Sequence, residues 1–142
     1  MPVSVTVQLV SFVCNDHRKL SAFYREAFAL EEVAAVASPI FVALAAGGVA
    51  LGFHAEDALG LLGIDDRAGL RSSTHVTFDL GSADVVDASV DRLTALGASV
   101  VKGPFTTYYD ARQVVFTDPE GNVFRVTDTQ TALTVDALRN AG

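Results

Sequence analysis

One order of structural elements is predicted twice along the chain, and this repeat constrains the fold more than any other feature. Each half predicts a strand, a helix and then three strands. Sliding the sequence by 66 positions places Phe12 on Phe78 and Asp16 on Ser82, so the halves match in pattern. Two βαβββ modules can pair their sheets around a cleft. We therefore predict a single α+β domain over residues 1–142, with two tandem modules that form a curved mixed sheet.

Module one is predicted over about residues 3–54. Apolar and polar side chains alternate from Val3 to Val13, which predicts a strand. Apolar residues spaced by three and four, after the capping residue Asp16, predict a helix from about His17 to Phe28. Strand-like runs at 32–37, 40–45 and 49–54 follow. The irregular segment 55–72 is interpreted as a linker.

Module two is predicted over about residues 73–128. Strict alternation from Thr74 to Leu80 predicts a strand, Ser82 is a plausible helix N-cap, and Gly97 suits a left-handed C-terminal cap. Three strands are predicted at 98–102, 113–117 and 123–127. In the tail, 129–142, a short helix is predicted over Thr134 to Asn140.

Charge and hydropathy exclude several classes of partner. Seventeen acidic and ten basic residues give a net charge of -7, which disfavours nucleic acid. No apolar run approaches the roughly 20 residues of a membrane span, and the first residues lack a signal-peptide pattern. We therefore expect a cytoplasmic protein. Cys14 is the single cysteine, which excludes an internal disulfide and favours a buried thiol.

Two stretches resemble signatures of the vicinal-oxygen-chelate superfamily, which includes glyoxalases, bleomycin-resistance proteins and extradiol dioxygenases. Residues 16–24 resemble its "D, spacer, LAxFY" opening helix, and residues 118–126 resemble its more specific "DPxGNxxEL" hairpin. The resemblance covers roughly residues 3–128. It implies the glyoxalase/bleomycin-resistance fold, a small-molecule ligand and a homodimer.

The resemblance also implies where a divalent metal would be held, by His, Glu or Gln from the first and last strands of each module. His75 falls at one such position, whereas Arg125 stands where the family has glutamate, and a guanidinium has no lone pair to offer. The first-strand position falls on Gln8 or on Leu9, depending on the register. His54 stands at or just beyond the fourth position. The best donor set is therefore His54, His75 and Gln8. We expect no cofactor, with a divalent metal as the alternative.

Arg125 and His75 suggest a different kind of pocket. A cation that points into a partly closed cleft needs a carboxylate, either from Asp79 or from a bound ligand. His75 shares its face with Thr77 and Asp79, and it can bond either of them or a ligand.

Aromatic residues supply candidate walls for a planar guest. Adjacent Tyr108 and Tyr109 point to opposite sides, so at most one contacts a ligand. Phe12, Phe41 and Phe53 either line the cleft or fill the cores between helix and sheet. The predicted ligand-binding set is His75, Arg125, Thr77, Tyr108, Tyr109, His54, Phe53 and Phe41.

Three functions remain open from the sequence. The first is a metal-free protein that binds a small aromatic molecule in a cleft within one chain or between subunits, as in antibiotic sequestration. The second is a metal-dependent lyase, isomerase or dioxygenase. The third is a metal-free enzyme with His75 as general base and Arg125 as anion stabiliser.

Overall fold

The computed structural model describes residues 7–62, 74–134 and 136–137. The chain separates into two compact units, Met1–Ser72 and Ser73–Gly142. The described part of each unit contains one α-helix and one four-stranded mixed sheet, which confirms the predicted α+β fold with tandem modules. Among the described residues, no helix is long and apolar enough to cross a membrane.

Sheet 1, in the first unit, has the strand order β1-β4-β3-β2 and carries helix α1. Strands β1 and β4 are parallel, and the other pairs are antiparallel. The elements are β1 Leu9–Cys14, α1 His17–Phe28, β2 Glu31–Glu32, β3 Phe41–Ala46 and β4 Val49–Ala55.

The strand predicted over 32–37 is wrong. Strand β2 contains two residues, and a turn of 3-10 helix follows at Ala34–Val36. Alanine is depleted in strands, so this alanine-containing segment has little to hold it in the sheet. The predicted linker begins with a second 3-10 helix, Glu56–Leu62, and its residues 63–72 lie outside the described part.

Sheet 2, in the second unit, has the order β5-β8-β7-β6, with β5 parallel to β8. Strand β6 is longer than predicted and pairs irregularly with β7. Its Pro104 is tolerated because an edge strand can lack a backbone donor. Of the predicted tail helix, only residues 134, 136 and 137 are described. The elements are β5 Val76–Asp79, α2 Ala83–Ala95, β6 Ser99–Thr106, β7 Arg112–Thr117 and β8 Val123–Thr127.

The ends of both helices are set by local chemistry, as predicted. The Asp16 side chain accepts a hydrogen bond from Lys19 N at 3.0 Å, and the Ser82 hydroxyl accepts one from Val85 N at 3.3 Å. These acceptors satisfy amides that a helix start leaves unpaired. Gly97 follows α2 with φ +114°.

The C-terminal cap of α1 is Ala29, which adopts the left-handed conformation with φ 52°. A Cβ atom is disfavoured there, so Ala29→Gly is expected to raise the free energy of unfolding by about 0.5–1 kcal/mol. Ala95→Gly, in the last helical residue of α2, is the matched control and should lower stability by a similar amount. Urea denaturation measures both changes, and a loss of stability in Ala29→Gly would contradict the prediction.

Each helix covers one face of its own sheet, here called the helix face. In the first unit, Phe12 stacks on Phe53 and on Tyr24 of α1, with ring centroids 5.3 Å and 5.5 Å apart. In the second unit, Phe124 stacks on Phe116 at 5.2 Å. Side chains alternate along a strand, so the next residues lie on the opposite surface, here called the far face.

Candidate functional site

The far face of sheet 1 is covered by apolar side chains around a glycine. A Cβ atom on Gly52 would lie 2.8 Å from Ser11 Oγ, 2.9 Å from Phe41 Cε1 and 3.0 Å from Leu9 Cδ1. The position over Gly52 is therefore filled by its neighbours. Beside it, the rings of Phe41 and His54 lie 4.6 Å apart on paired residues of β3 and β4.

His54 is partly buried on this face, and burial lowers its pKa below the ordinary value of about 6.5. The folded state therefore binds this proton more weakly than the unfolded state does. As the pH falls below about 6.5, the unfolded chain takes up the proton first and the free energy of unfolding decreases.

We accordingly expect the wild type to lose more stability between pH 7.5 and pH 5 than His54→Gln, which has no imidazole to titrate. Urea denaturation at several pH values measures the difference. Parallel stability profiles for the two proteins would contradict the prediction. The carboxylates common to both proteins cancel in this comparison.

The far face of sheet 2 presents a partly buried arginine. Arg125 lies opposite Thr77 in the parallel pairing of β8 with β5, and its Nε donates to Thr77 Oγ1 at 3.1 Å. This bond fixes the side chain and leaves the terminal nitrogens of the guanidinium as donors. Within the described residues, Arg125 forms no ion pair with a carboxylate.

Asp79 does not supply the protein partner that was one of two alternatives for Arg125. Its Oδ1 instead accepts from Gly81 N at 2.8 Å and from Thr129 Oγ1 at 2.9 Å. These bonds hold the end of β5 to the segment that follows β8. Asp79 therefore has a structural role.

A second cation lies in the same row as Arg125. Val115 of β7 pairs with Arg125 on one side and with Lys102 of β6 on the other. Lys102 Nζ lies 4.2 Å from the centroid of the Phe105 ring. The row therefore combines positive charge with an aromatic surface, in a chain whose net charge is -7.

Beside this row, a buried polar pair meets a tyrosine. Gln113 and Thr127 face each other across β7 and β8 and are 3% and 6% exposed. Gln113 Nε2 donates to Tyr109 Oη at 3.0 Å and, at 3.5 Å, to Thr127 Oγ1. Tyr109 is 46% exposed, whereas its neighbour Tyr108 is 100% exposed. The structure therefore places Tyr109, and not Tyr108, against the far face.

Strand pairing locates the metal-ligand positions that the resemblance implies in the second unit. Arg125 pairs with Thr77, and His75 precedes Thr77 by two residues, which places both on one face. His75 is exposed, and its imidazole forms no hydrogen bond with any residue that the structure describes.

The corresponding positions in the first unit follow from the equivalent pairing of its own strands. Ser11 pairs with Gly52 in the parallel strands β1 and β4, just as Thr77 pairs with Arg125, and Leu9 precedes Ser11 by two residues. Leu9 lies next to Gly52 on the far face, so alternation points Gln8 the other way. The four equivalent positions are Leu9, Gly52, His75 and Arg125.

In neither unit does the pair of positions supply a set of metal donors. One imidazole is present, whereas leucine and glycine offer no side-chain donor and a guanidinium repels a cation. His54 lies two residues beyond Gly52 along β4 and does not replace the missing donor there. Within residues 7–62, 74–134 and 136–137, no three His, Cys, Asp or Glu side chains are grouped to hold a metal ion.

The two phenylalanines predicted to contact a ligand, Phe41 and Phe53, lie on opposite faces of sheet 1. Phe53 is 0% exposed and packs on Phe12 and Tyr24, so it belongs to the core and does not fit the predicted role in ligand contact. Phe41 lies on the far face with His54. Gln113, which the sequence analysis did not select, lies beside Arg125 and Thr127. Its position could be predicted from the turn after β7, because that turn sets the pairing of β7 with β8.

The profile of the family described as "Glyoxalase-like domain" matches residues 5–127 of this chain. This chain belongs to the glyoxalase-like domain family. It is thereby a member of the vicinal-oxygen-chelate superfamily, as the opening helix and the hairpin signature predicted.

Solved structures of other glyoxalase-like proteins are similar to this chain over most of its length. A glyoxalase/bleomycin resistance protein/dioxygenase family enzyme from Burkholderia phytofirmans PsJN is 34% identical, with a TM-score of 0.81 over 87% of this chain and 98% of that one. A lactoylglutathione lyase from Agrobacterium tumefaciens is 25% identical, with a TM-score of 0.68 over 89% and 95%.

A fosfomycin resistance protein from Listeria monocytogenes, solved with manganese(II) and sulfate, is 18% identical, with a TM-score of 0.68 over 99% of this chain and 100% of that one. At this identity the likeness shows the fold alone.

Proposed function

We propose that this glyoxalase-like protein binds a small aromatic molecule with an anionic group and holds it without a metal ion. The observation that carries the proposal is the environment of Arg125. Arg125 is partly buried as a residue, its Nε is bonded to Thr77, and it has no carboxylate partner among the described residues. A cation that is partly withdrawn from water is stabilised by a nearby anion, so a ligand carboxylate or enolate is a suitable partner for Arg125.

The surroundings of Arg125 support an aromatic anion. Lys102 adds a second positive charge in the same row, and Phe105 and Tyr109 add aromatic surface. Aromatic rings bind planar guests, and a few placed polar groups fix their orientation. Metal-free binding is supported by the arginine in β8, because it supplies positive charge at a position where relatives would have a metal-binding carboxylate.

The surroundings of His75 favour binding of the ligand without turnover. A general base is usually oriented by a third group that bonds its second nitrogen. The His75 imidazole is exposed and has no such partner in the described part of the chain. We therefore propose sequestration of the ligand, with catalysis as the competing outcome.

Native mass spectrometry of chelator-treated protein tests the proposal against aromatic carboxylic acids, aromatic antibiotics and small 2-oxo acids. We expect a 1:1 adduct whose ligand mass is unchanged. A ligand of altered mass would show turnover instead. Elemental analysis after metal reloading, with His75→Ala as control, tests whether the protein binds its ligand without a metal ion. Stoichiometric metal bound through His75 would favour a lyase, isomerase or dioxygenase and overturn the proposal.

We also propose a homodimer in the cytoplasm. Strand β6 is one of the two edge strands of sheet 2, and its Val101 is 60% exposed. Unpaired edges with apolar side chains are usually covered by a partner. Light scattering coupled to size-exclusion chromatography gives the mass of the particle, and a mass of one chain at micromolar concentration would contradict the dimer.

A further inference from the structure

The buried amide of Gln113 fixes which hydrogen-bonding group Tyr109 presents. Gln113 is 3% exposed, and its Nε2 donates to Tyr109 Oη at 3.0 Å. The phenol oxygen is therefore the acceptor in this contact. A phenol that accepts one bond still has its own O–H to donate.

The turn that carries Tyr109 is itself held in place. Thr107 N donates to Ala111 O at 2.8 Å, and Ala111 N donates to Thr107 Oγ1 at 2.9 Å. Asp110 completes the turn with φ 65°, in the left-handed region that aspartate tolerates. With its backbone held in this turn and its oxygen bonded by Gln113, Tyr109 presents a positioned donor.

Arg125 and Gln113 are diagonal neighbours on one face, since Val115 of β7, two residues from Gln113, pairs directly with Arg125. Such neighbours lie about 7–8 Å apart. The guanidinium can only donate, so the far face of sheet 2 presents two donors near each other, one charged (Arg125) and one neutral (Tyr109, bonded to Gln113).

We infer that the ligand carries, besides the anionic group bound by Arg125, a neutral oxygen acceptor such as a carbonyl or ether that receives the Tyr109 proton. Gln113 is the positioning residue that turns this proton toward the ligand. The inference rests on the proposed function and names the ligand class more closely: an aromatic carboxylate with an oxygen acceptor remote from the carboxylate.

A pair of benzoates that differ in this acceptor provides the test. 4-Acetylbenzoate and 4-isopropylbenzoate share the carboxylate and have nearly the same shape, but the isopropyl group has no oxygen. By isothermal titration, the wild type is expected to bind the acetyl compound about 10-fold more tightly. Tyr109→Phe should reduce this ratio to about 1, whereas Tyr108→Phe, which changes a fully exposed ring, should preserve it.

Two Gln113 variants test the positioning role, one of nearly the same size (Glu) and one without a polar group (Leu). In Gln113→Glu, the carboxylate accepts the Tyr109 proton, so the preference for the acetyl compound should be lost. Gln113→Leu cannot hold the phenol and should also lower the ratio, and thermal denaturation checks that it folds. Because the ratio compares two ligands on one protein, a general loss of stability does not move it.

The outcomes distinguish this inference from the proposed function. Equal binding of both benzoates by the wild type, or an unchanged ratio in Tyr109→Phe, would overturn the inference while leaving carboxylate binding intact. Failure of the wild type to bind either compound would overturn the proposed function itself.

Discussion

Replacing Arg125 with leucine is expected to weaken the binding of an aromatic carboxylate by about 100-fold, or roughly 2.7 kcal/mol. The substitution removes the partly buried cation of β8 and its bond to Thr77, and the ligand carboxylate then loses its charged donor. Arg125→Lys keeps the charge but loses the planar fork, so we expect an intermediate loss of about 10-fold. Isothermal titration of the chelator-treated proteins measures each change.

Arg25→Leu is the matched control for this experiment. Arg25 lies in α1, is largely exposed and pairs with Glu32 at 3.9 Å, so the variant has the same change in net charge without a change at the far face of sheet 2. Its affinity should stay within about twofold of the wild type, because exposed ion pairs contribute little. A similar loss in both variants would mean that overall charge, rather than Arg125, governs binding.

Asp118→Ala is expected to lower the free energy of unfolding by about 3 kcal/mol. Asp118 is 4% exposed and organises the turn between β7 and β8. Its Oδ1 accepts from Glu120 N at 2.9 Å and from Asn122 N at 3.0 Å, and its Oδ2 accepts from Asn122 Nδ2 at 2.9 Å. Alanine removes the acceptor of these partly buried donors, and the loss of such bonds is costly.

Two further variants, measured by urea denaturation, serve as comparisons for the stability loss in Asp118→Ala. Asp118→Asn keeps one carbonyl acceptor and should lose less stability than alanine. Asp91→Ala, at an exposed position of α2, should stay within about 0.5 kcal/mol of the wild type. If Asp118→Ala were as stable as Asp91→Ala, the turn would not depend on this carboxylate.

Local chemistry made the helices and the last strand predictable. The bounds of α1 follow from the Asp16 cap and from apolar residues at helical spacing, and β8 was predicted over the five residues it occupies. Strand β2 could not be predicted in the same way. Its length depends on how far it pairs with β3, and this pairing ends after Glu32.

The site was less predictable because it depends on which face a side chain takes and on residues distant in sequence. Phe41 and Phe53 look alike in the sequence, but Phe53 packs under α1 and Phe41 does not. The partner of Asp79 is Thr129, 50 residues away. This contact, which the alternation pattern does not encode, joins the Asp79 carboxylate to the segment after β8.

The place of Gln113 could have been derived from the hairpin motif. The turn at Asp118–Asn122 sets Thr117 opposite Val123, and counting back along β7 then places Gln113 opposite Thr127. A recognised turn motif therefore also fixes the register of the two strands that it joins.

The direct test of metal-free anion recognition is a titration of the protein with benzoate and with its neutral analogue benzamide, in the presence of excess EDTA. We predict that benzoate binds about 100-fold more tightly than benzamide, as expected when a partly buried cation recognises a carboxylate. Equal affinities for the two compounds, or benzoate binding that appears only when a divalent metal replaces the EDTA, would contradict the account.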